Sequence, residues 1–574
     1  MADATGSGAR KRRAARAATP AKKAPAKKAP AKKAVRPTPA ATATTATPPR
    51  RPTPPRGSRQ QERSRWLSAL SAVLVVLALL LMLRLGAQER GGPAHDVVSI
   101  GDGIPATLYL PEKADSDGNL PLPAPKGERP PVVVIAHGYS ADQASMSGLA
   151  RSLATLGYAT VTFDFRGHGS NTHAFEGDLD RDLSSVVTWA QELPYVDGTR
   201  LAVLGHSMGA SAVLDFATKD ARPKAVVPLS GGSTLHDAVT PAHTLLLDAS
   251  GDPGEIRDRQ LELRDDLEAR HADVTHHEIS GVNHLTILRS SDTVKAVVQF
   301  LDPILQPDRP AGVTVGLHDG RMTTAVLYLL VAIGLMAVVG SLAGRLVPEG
   351  PADPSEAPVW TGFVLLGGAL LLTIPALSIA PIDPLPLGAP EPILIHLALA
   401  SAVLWGSRTL ARRGRLTGPV AGWFDGRAWL PLREVGWVGL AAGLAVVVLV
   451  LPIAPVFHRL VPTPERAVYW VVATLLVLPF FAAFEGLLRR GRPARAAGWG
   501  VLGRVLLLVV LYLGLGAHAL PSVIALVAPL LVLQYVVLEV IAAGAYAKAR
   551  NAAVVAVVDA VLIGWMAVTL TPVG

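Results

Sequence analysis

Leu201-Ala202-Val203-Leu204-Gly205-His206-Ser207-Met208-Gly209-Ala210 is the stretch whose reading decides how the soluble part of this chain folds. Four apolar residues run straight into G-H-S-M-G, and a helix-forming segment continues to Thr218. This is the strand–turn–helix context in which a G-x-S-x-G motif holds a serine nucleophile. A serine on so sharp a turn needs small neighbours. Gly205 and Gly209 have no Cβ and let strand and helix crowd together. The turn keeps the Ser207 hydroxyl clear of the backbone, and Ser207 is the candidate nucleophile.

Outward from this turn, the strand signals come in a regular order between residues 96 and 305. Residues 97–100 and 106–110 read as an opening antiparallel pair. Short apolar or β-branched runs follow at 132–136, 160–165, 201–204, 225–228, 244–247 and 274–279. Helical segments at 146–156, 180–193 and 255–270 separate most of them. Strands alternating with helices predict an α/β fold, a mostly parallel sheet covered on both faces. Ligands of such sheets bind at the carboxyl ends of the strands.

The residues at those ends are informative. Ala136-His137-Gly138-Tyr139 follows the first buried strand, where a second oxyanion donor is expected; by position the donors are the N–H groups of Tyr139 and Met208. Asp164-Phe165-Arg166-Gly167-His168-Gly169 follows the next, with Asp164 and Arg166 read as structural. A serine needs a base, and the base needs an acid to fix its tautomer. Two acids, Asp248 and Asp252, stand after the strand at 244–247; Asp252, in the loop beyond the strand end, is favoured. The last strand ends in Gly281-Val282-Asn283-His284, and His284 is the candidate base. His271, His276 and His277 fall within the preceding helix end or strand.

Taken together, H-G-Y at 137–139, D-F-R-G-H-G at 164–169, G-H-S-M-G at 205–209, the run ending at Asp252 and G-V-N-H ending at His284 resemble an α/β-hydrolase. The layout is similar to the compact esterase branch with dienelactone-hydrolase-like and prolyl-oligopeptidase-like domains. The resemblance covers about residues 97–305. It implies Ser207 as nucleophile, His284 as base and Asp252 as orienting acid, with no cofactor and no metal. Many members insert a helical lid between the sixth and seventh strands. Here only residues 231–243 are available, a short-loop length, which predicts an open, lidless site.

The rest of the 574 residues has two other compositions. Residues 1–62 are Lys, Arg, Ala, Pro and Thr, with the repeat K-K-A-P-A-K-K-A-P-A-K-K-A, and cannot bury enough apolar surface to fold. This basic tail resembles those of linker histones. Its predicted partner is anionic lipid at the membrane surface, with nucleic acid as the other reading. Cysteine is absent, which excludes a disulfide framework and a cysteine-rich metal site.

Residues 66–86 form an apolar stretch of bilayer length, read as a retained signal anchor and not a cleaved peptide. The domain at 94–308 follows, and 322–574 reads as an all-α multi-pass domain. Eight spans are predicted there, near 323–345, 359–380, 391–410, 435–456, 467–488, 503–518, 521–545 and 552–571. Threading them from an inside N-terminus places Arg412, Arg413, Arg415, Arg427 and Arg433 in one inner loop, and Arg489, Arg490, Arg492, Arg495 and Arg504 in the next. Lys548 and Arg550 fall in the last. The outer loops hold only Arg459 and Arg466, beside Asp383 and Glu391. This predicts a plasma-membrane protein with a cytoplasmic tail and an extracytoplasmic hydrolase.

Three acids, Glu485, Glu539 and Asp559, fall in or near spans. Glu485 is expected to pair with Arg489 at i,i+4, Glu539 to reach the interface, and Asp559 to bridge packed helices. The leading expectation is a membrane-tethered serine hydrolase of lipid, envelope or small-molecule esters. Three alternatives stay open: an acyltransferase with the same triad, a transporter of amphiphiles with an accessory hydrolase, and a catalytically dead binding module.

Overall fold

The computed structural model describes residues 56–574 except 116, 234, 236–239, 242, 309–319, 344–358, 380–385, 389, 418–431, 458–459, 521–522, 570–571 and 573–574. Most of the basic tail, part of the short loop at 231–243, and Asp383, Arg427 and Arg459 lie outside the described residues.

Among the described residues one eight-stranded sheet forms, of order β1-β2-β4-β3-β5-β6-β7-β8. Its strands are β1 (His95–Ile100), β2 (Ile104–Tyr109), β3 (Pro131–Ala136), β4 (Ala159–Phe163), β5 (Asp197–His206), β6 (Ala225–Leu229), β7 (His243–Ala249) and β8 (Asp273–Ile279). β2 pairs antiparallel with β1 and β4, and all other pairings are parallel. Continuous apolar runs mark strands covered on both faces, and β3 is buried along its whole length.

Side chains of the central strands alternate between two cores. Val133, Ile135, Ala202 and Leu204 pack with α2 (Gln143–Thr155) and α6 (Ser291–Leu305) on one face. Val132, Val134, Leu201 and Val203 pack with α3 (Leu179–Glu192) and α4 (Met208–Lys219) on the other. Helix α5 (Gly254–Ala269) bridges β7 and β8. The expected α/β-hydrolase architecture is therefore present, with strands and helices within a few residues of their predicted bounds.

Helix α1 (Arg56–Arg90) starts ahead of the expected span because its polar, basic N-terminal stretch continues the same helix. Past the hydrolase run α7 (Arg321–Ala343), α8 (Val359–Ile379), α9 (Glu391–Arg412), α10 (Leu432–Val450), α11 (Pro464–Leu488), α12 (Pro493–Gly516), α13 (Val523–Ala549) and α14 (Ala552–Thr569). Eight described helices, α1 among them, are long and apolar enough to cross a membrane, and α13 carries a shorter apolar stretch at Leu531–Ala547. The bundle packs around Phe480, Phe481 and Phe484 of α11. Helices α11 and α14 come so close that a Cβ on Gly564 would lie 2.9 Å from the backbone nitrogen of Thr474. Small residues at such crossings replace the hydrophobic drive that lipid removes.

Buried inside this bundle is a five-residue ionic network. Arg489 reaches Glu485 Oε2 at 2.5 Å and Glu539 Oε1 at 2.6 Å. Arg504 reaches Glu539 Oε2 at 2.6 Å and Asp559 Oδ2 at 2.7 Å. The Glu485–Arg489 pair and the interhelical role of Asp559 agree with the sequence reading. Two expectations are corrected. Arg504 lies within α12 and not in an inner loop, and Glu539 is buried instead of reaching the interface. The carboxylates draw both guanidiniums inward, because a paired charge in hydrocarbon is far less unfavourable than a lone one.

Where the hydrolase leaves α1, Glu89 is bridged by Arg151 of α2 at 3.2 Å and Arg321 of α7 at 2.6 Å. Arg321 also donates to Ser147 Oγ at 2.9 Å.

Candidate active site

The turn after β5 places Ser207 at φ 55°, ψ −115°, a strained region for a residue with a side chain. The glycines around it are needed for contact. A Cβ on Gly205 would lie 2.0 Å from Gly209 O, and one on Gly209 would lie 2.5 Å from Ala136 O. On the other side a Cβ on Gly138 would meet Ser207 Cβ at 3.2 Å. The His137–Tyr139 turn therefore lies directly against Ser207. It is held there by His137, whose Nε2 accepts the Phe165 N–H at 3.1 Å while Nδ1 bonds Gly138 O at 2.9 Å. Met208 opens α4, where first-turn N–H groups have no intrahelical acceptor.

The fold brings together all three predicted triad residues. His284 Nε2 lies 3.0 Å from Ser207 Oγ, and His284 Nδ1 lies 2.7 Å from Asp252 Oδ1. The loop carrying His284 is shaped locally: Asn283 Oδ1 accepts the N–H groups of Leu285 and Thr286, and Thr286 Oγ1 accepts that of Asn283. Gly251 N–H donates to Val282 O at 2.9 Å and joins this loop to the one bearing Asp252. The competing acid, Asp248, is turned away, with Oδ2 2.7 Å from His276 Nε2.

Asp252 Oδ2 accepts from Ser230 Oγ at 2.6 Å and from Ala249 N–H at 2.9 Å. Burial opposes ionisation of this carboxyl, but the hydrogen bonds from His284, Ser230 and Ala249 outweigh it and hold Asp252 below the ordinary range. An ionised Asp252 keeps the His284 proton on Nδ1 and leaves Nε2 free to accept from the serine.

Two supporting residues carry no motif signal. Ser230 is a single serine at the end of a buried strand. His206 reads as the variable position of G-x-S-x-G, yet it is buried and its Nε2 donates to His284 O at 2.8 Å. Burial, with the facing His284 ring, pushes His206 down to about 3, so it stays neutral. Asp164 and Arg166, read as structural, are both engaged by neighbouring groups. Arg166 Nε pairs with Asp182 at 2.9 Å. Asp164 accepts from Gln143 and Ser170, and burial with the nearby Asp142 carboxylate pushes it up to about 6.

The expected open rim is corrected on one side. Gly388, just before α9, lies so close to Tyr139 that an added Cβ would be 2.6 Å from the phenolic oxygen. Arg466, in the first turn of α11, donates to Gly167 O at 2.5 Å. The loop between β6 and β7 is indeed short, but another part of the same chain stands at the rim.

Residues 127–251 match the sequence profile of the family described as serine aminopeptidase, S33. An uncharacterized protein of Mycobacterium tuberculosis is 30% identical over 139 residues, 23% of this chain and 49% of that protein. Cutinase 2 of Thermobifida cellulosilytica is 31% identical over 126 residues, 22% of this chain and 43% of that enzyme. The chain thus spans under half the length of these curated relatives. A putative dienelactone hydrolase of Klebsiella pneumoniae, a solved structure, aligns at 19% identity and TM-score 0.29 over 36% of this chain and 97% of its own. Over this segment the chain has the α/β-hydrolase fold and is similar to hydrolases of that superfamily.

Proposed function

We propose that this protein is a membrane-anchored carboxylic-ester hydrolase that works through an acyl-enzyme at Ser207. The observation that carries the reading is the continuous hydrogen-bonded line from Ser207 Oγ through His284 to Asp252. Ser207 Oγ attacks the acyl carbonyl as His284 Nε2 takes its proton, and Asp252 stabilises the imidazolium that forms. The oxyanion is held by the N–H groups of Tyr139 and Met208. His284 then protonates the leaving alkoxide. A water, deprotonated by His284, attacks the acyl-serine and releases the acid. The similarity to cutinases over 126 residues supports ester hydrolysis. Arg412, Arg413 and Arg415 at the end of α9, Arg492 and Arg495 at the start of α12, and the basic tail before α1 support a site facing away from the cytoplasm at the plasma membrane.

A fluorophosphonate probe tests the chemistry. The full chain should be labelled and should hydrolyse a short p-nitrophenyl ester, and Ser207→Ala should do neither. Equal labelling of wild type and Ser207→Ala would place the nucleophile elsewhere.

A further inference from the structure

We propose that the end of the helix bundle facing the hydrolase forms one wall of the Ser207 site, so that the substrate is an amphiphile whose ester lies at head-group depth. This rests on the esterase reading above and adds the substrate class to it.

Three bundle segments meet at the rim. Gly388 stands two residues before the proline that opens α9, and its φ of +60° suits glycine. Its backbone packs against the Tyr139 hydroxyl with no room for a side chain, and Pro572, beyond α14, lies beside it. Neighbouring Leu387 is fully buried and packs into the apolar core of the bundle. Arg466, only 5% exposed, donates one guanidinium nitrogen to Gly167 O and another to Val568 O near the end of α14. A guanidinium so withdrawn from water is unfavourable unless its donors are satisfied, and here two carbonyls from two domains satisfy it.

These contacts land on the catalytic rim and not on a remote face. Tyr139 belongs to the turn packed on Ser207. Gly167 precedes His168, whose ring lies 5.0 Å from His137 and 6.0 Å from Tyr139. On the far side of α2, the Glu89, Arg151 and Arg321 bridge gives a second anchor. Two separated anchors fix the orientation of the hydrolase, with the Tyr139 edge of the site against the ends of α9, α11 and α14.

The consequence is one of depth. Those helix ends mark the bilayer surface, since each helix is about as long as the hydrocarbon core is thick. The carbonyl attacked by Ser207 therefore sits at that surface, within a contact layer or two of it. An ester anchored by a chain in the bilayer reaches this level without leaving the lipid. A small soluble ester gains nothing from the wall.

The test uses the full chain in phosphatidylglycerol/phosphatidylcholine nanodiscs, with p-nitrophenyl acetate in solution and a fluorogenic oleoyl ester in the disc. Wild type should prefer the oleoyl ester. Gly388→Val, which drives a side chain into Tyr139, and Arg466→Ala, which frees the rim, should each lower kcat/KM on the oleoyl ester about tenfold. Acetate turnover should fall less than this, so that the oleoyl-to-acetate ratio drops at least about threefold, while fluorophosphonate labelling of each variant reports whether Ser207 and its turn are intact. Arg466→Lys, keeping one donor, should fall between. Equal losses on both esters, no loss on either, or a wild-type preference for acetate would overturn the wall. Failure of the wild type to react with fluorophosphonate would instead remove the esterase reading and leave these contacts without a substrate.

Discussion

His206 Nε2 donates to the backbone oxygen of His284 across 2.8 Å, so the residue before Ser207 holds the main chain of His284. The two rings stand 4.8 Å apart. A protonated His206 would face the imidazolium that forms during catalysis, and burial prevents this by pushing His206 down to about 3. Its folded value is thus below the ordinary 6.5. The unfolded chain binds a proton that the folded chain refuses, so the stability tied to His206 is complete above pH about 6.5 and is lost as pH falls toward about 3. At pH 5 this is about 2 kcal/mol. Asp164, raised to about 6, works in the opposite sense between pH about 6 and 4. Comparison with a variant therefore isolates His206. Gln carries its amide nitrogen where His carries Nε2 but does not titrate. His206→Gln should keep most activity and lose less thermal stability than wild type between pH 7.5 and 5, read as surviving fluorophosphonate labelling after heating. His206→Leu, lacking the donor, should lower kcat by about ten- to a hundredfold. Identical acid lability in wild type and His206→Gln would remove the assignment.

Asp252 and Asp248 stand four positions apart on the same strand end and loop, but they face different histidines. Asp252→Asn should lower kcat on a soluble ester by about three to four orders of magnitude, because the amide favours the wrong His284 tautomer. Asp248→Asn, which touches only the His276 pair, should leave kcat within about threefold. The reverse ranking would exchange the two acids.

The parts of this fold that read clearly from sequence are those set by local pattern. The strand into G-H-S-M-G, the Gly-led loop of His284 and the apolar spans each follow from short-range periodicity or steric need. The roles of His206 and Ser230 were not legible, because each depends on a loop many residues away: His206 on the His284 carbonyl, Ser230 on the Asp252 carboxylate. The inward turn of Arg504 was hidden for a related reason. Charge counting assigns an arginine near a span end to the loop, whereas its partners Glu539 and Asp559 lie on two other helices. Gly388 gave no signal, since its partner Tyr139 belongs to a different domain.

The buried network holds three carboxyls and two guanidiniums, so ionising all five groups would leave one surplus negative charge in hydrocarbon. Asp559→Asn keeps the shape of the side chain and removes the surplus charge, so the variant should fold as wild type. Arg504→Met leaves Asp559 without a guanidinium and Glu539 with Arg489 alone, and should be destabilised by about 3–5 kcal/mol. Folded yield and melting of the purified chain in detergent measure both. A severe Asp559→Asn defect beside a mild Arg504→Met one would contradict the charge count.

Sidedness can be argued from one helix. Gly388 touches Tyr139 of the hydrolase, and α9 then runs 22 residues from Glu391 to Arg412. At 1.5 Å per residue this is about 33 Å, enough to cross the hydrocarbon core. Arg413 must then emerge on the face opposite the hydrolase, beside Arg412 and Arg415, where the positive-inside rule places the cytoplasm. The chain has no cysteine, so an impermeant maleimide meets no background. Leu122, 93% exposed on the hydrolase, is the probe position. Leu122→Cys should be labelled in intact cells and Arg413→Cys only after permeabilisation. Labelling of Arg413→Cys alone would put the hydrolase in the cytoplasm, and labelling of both in intact cells would show that α9 does not cross.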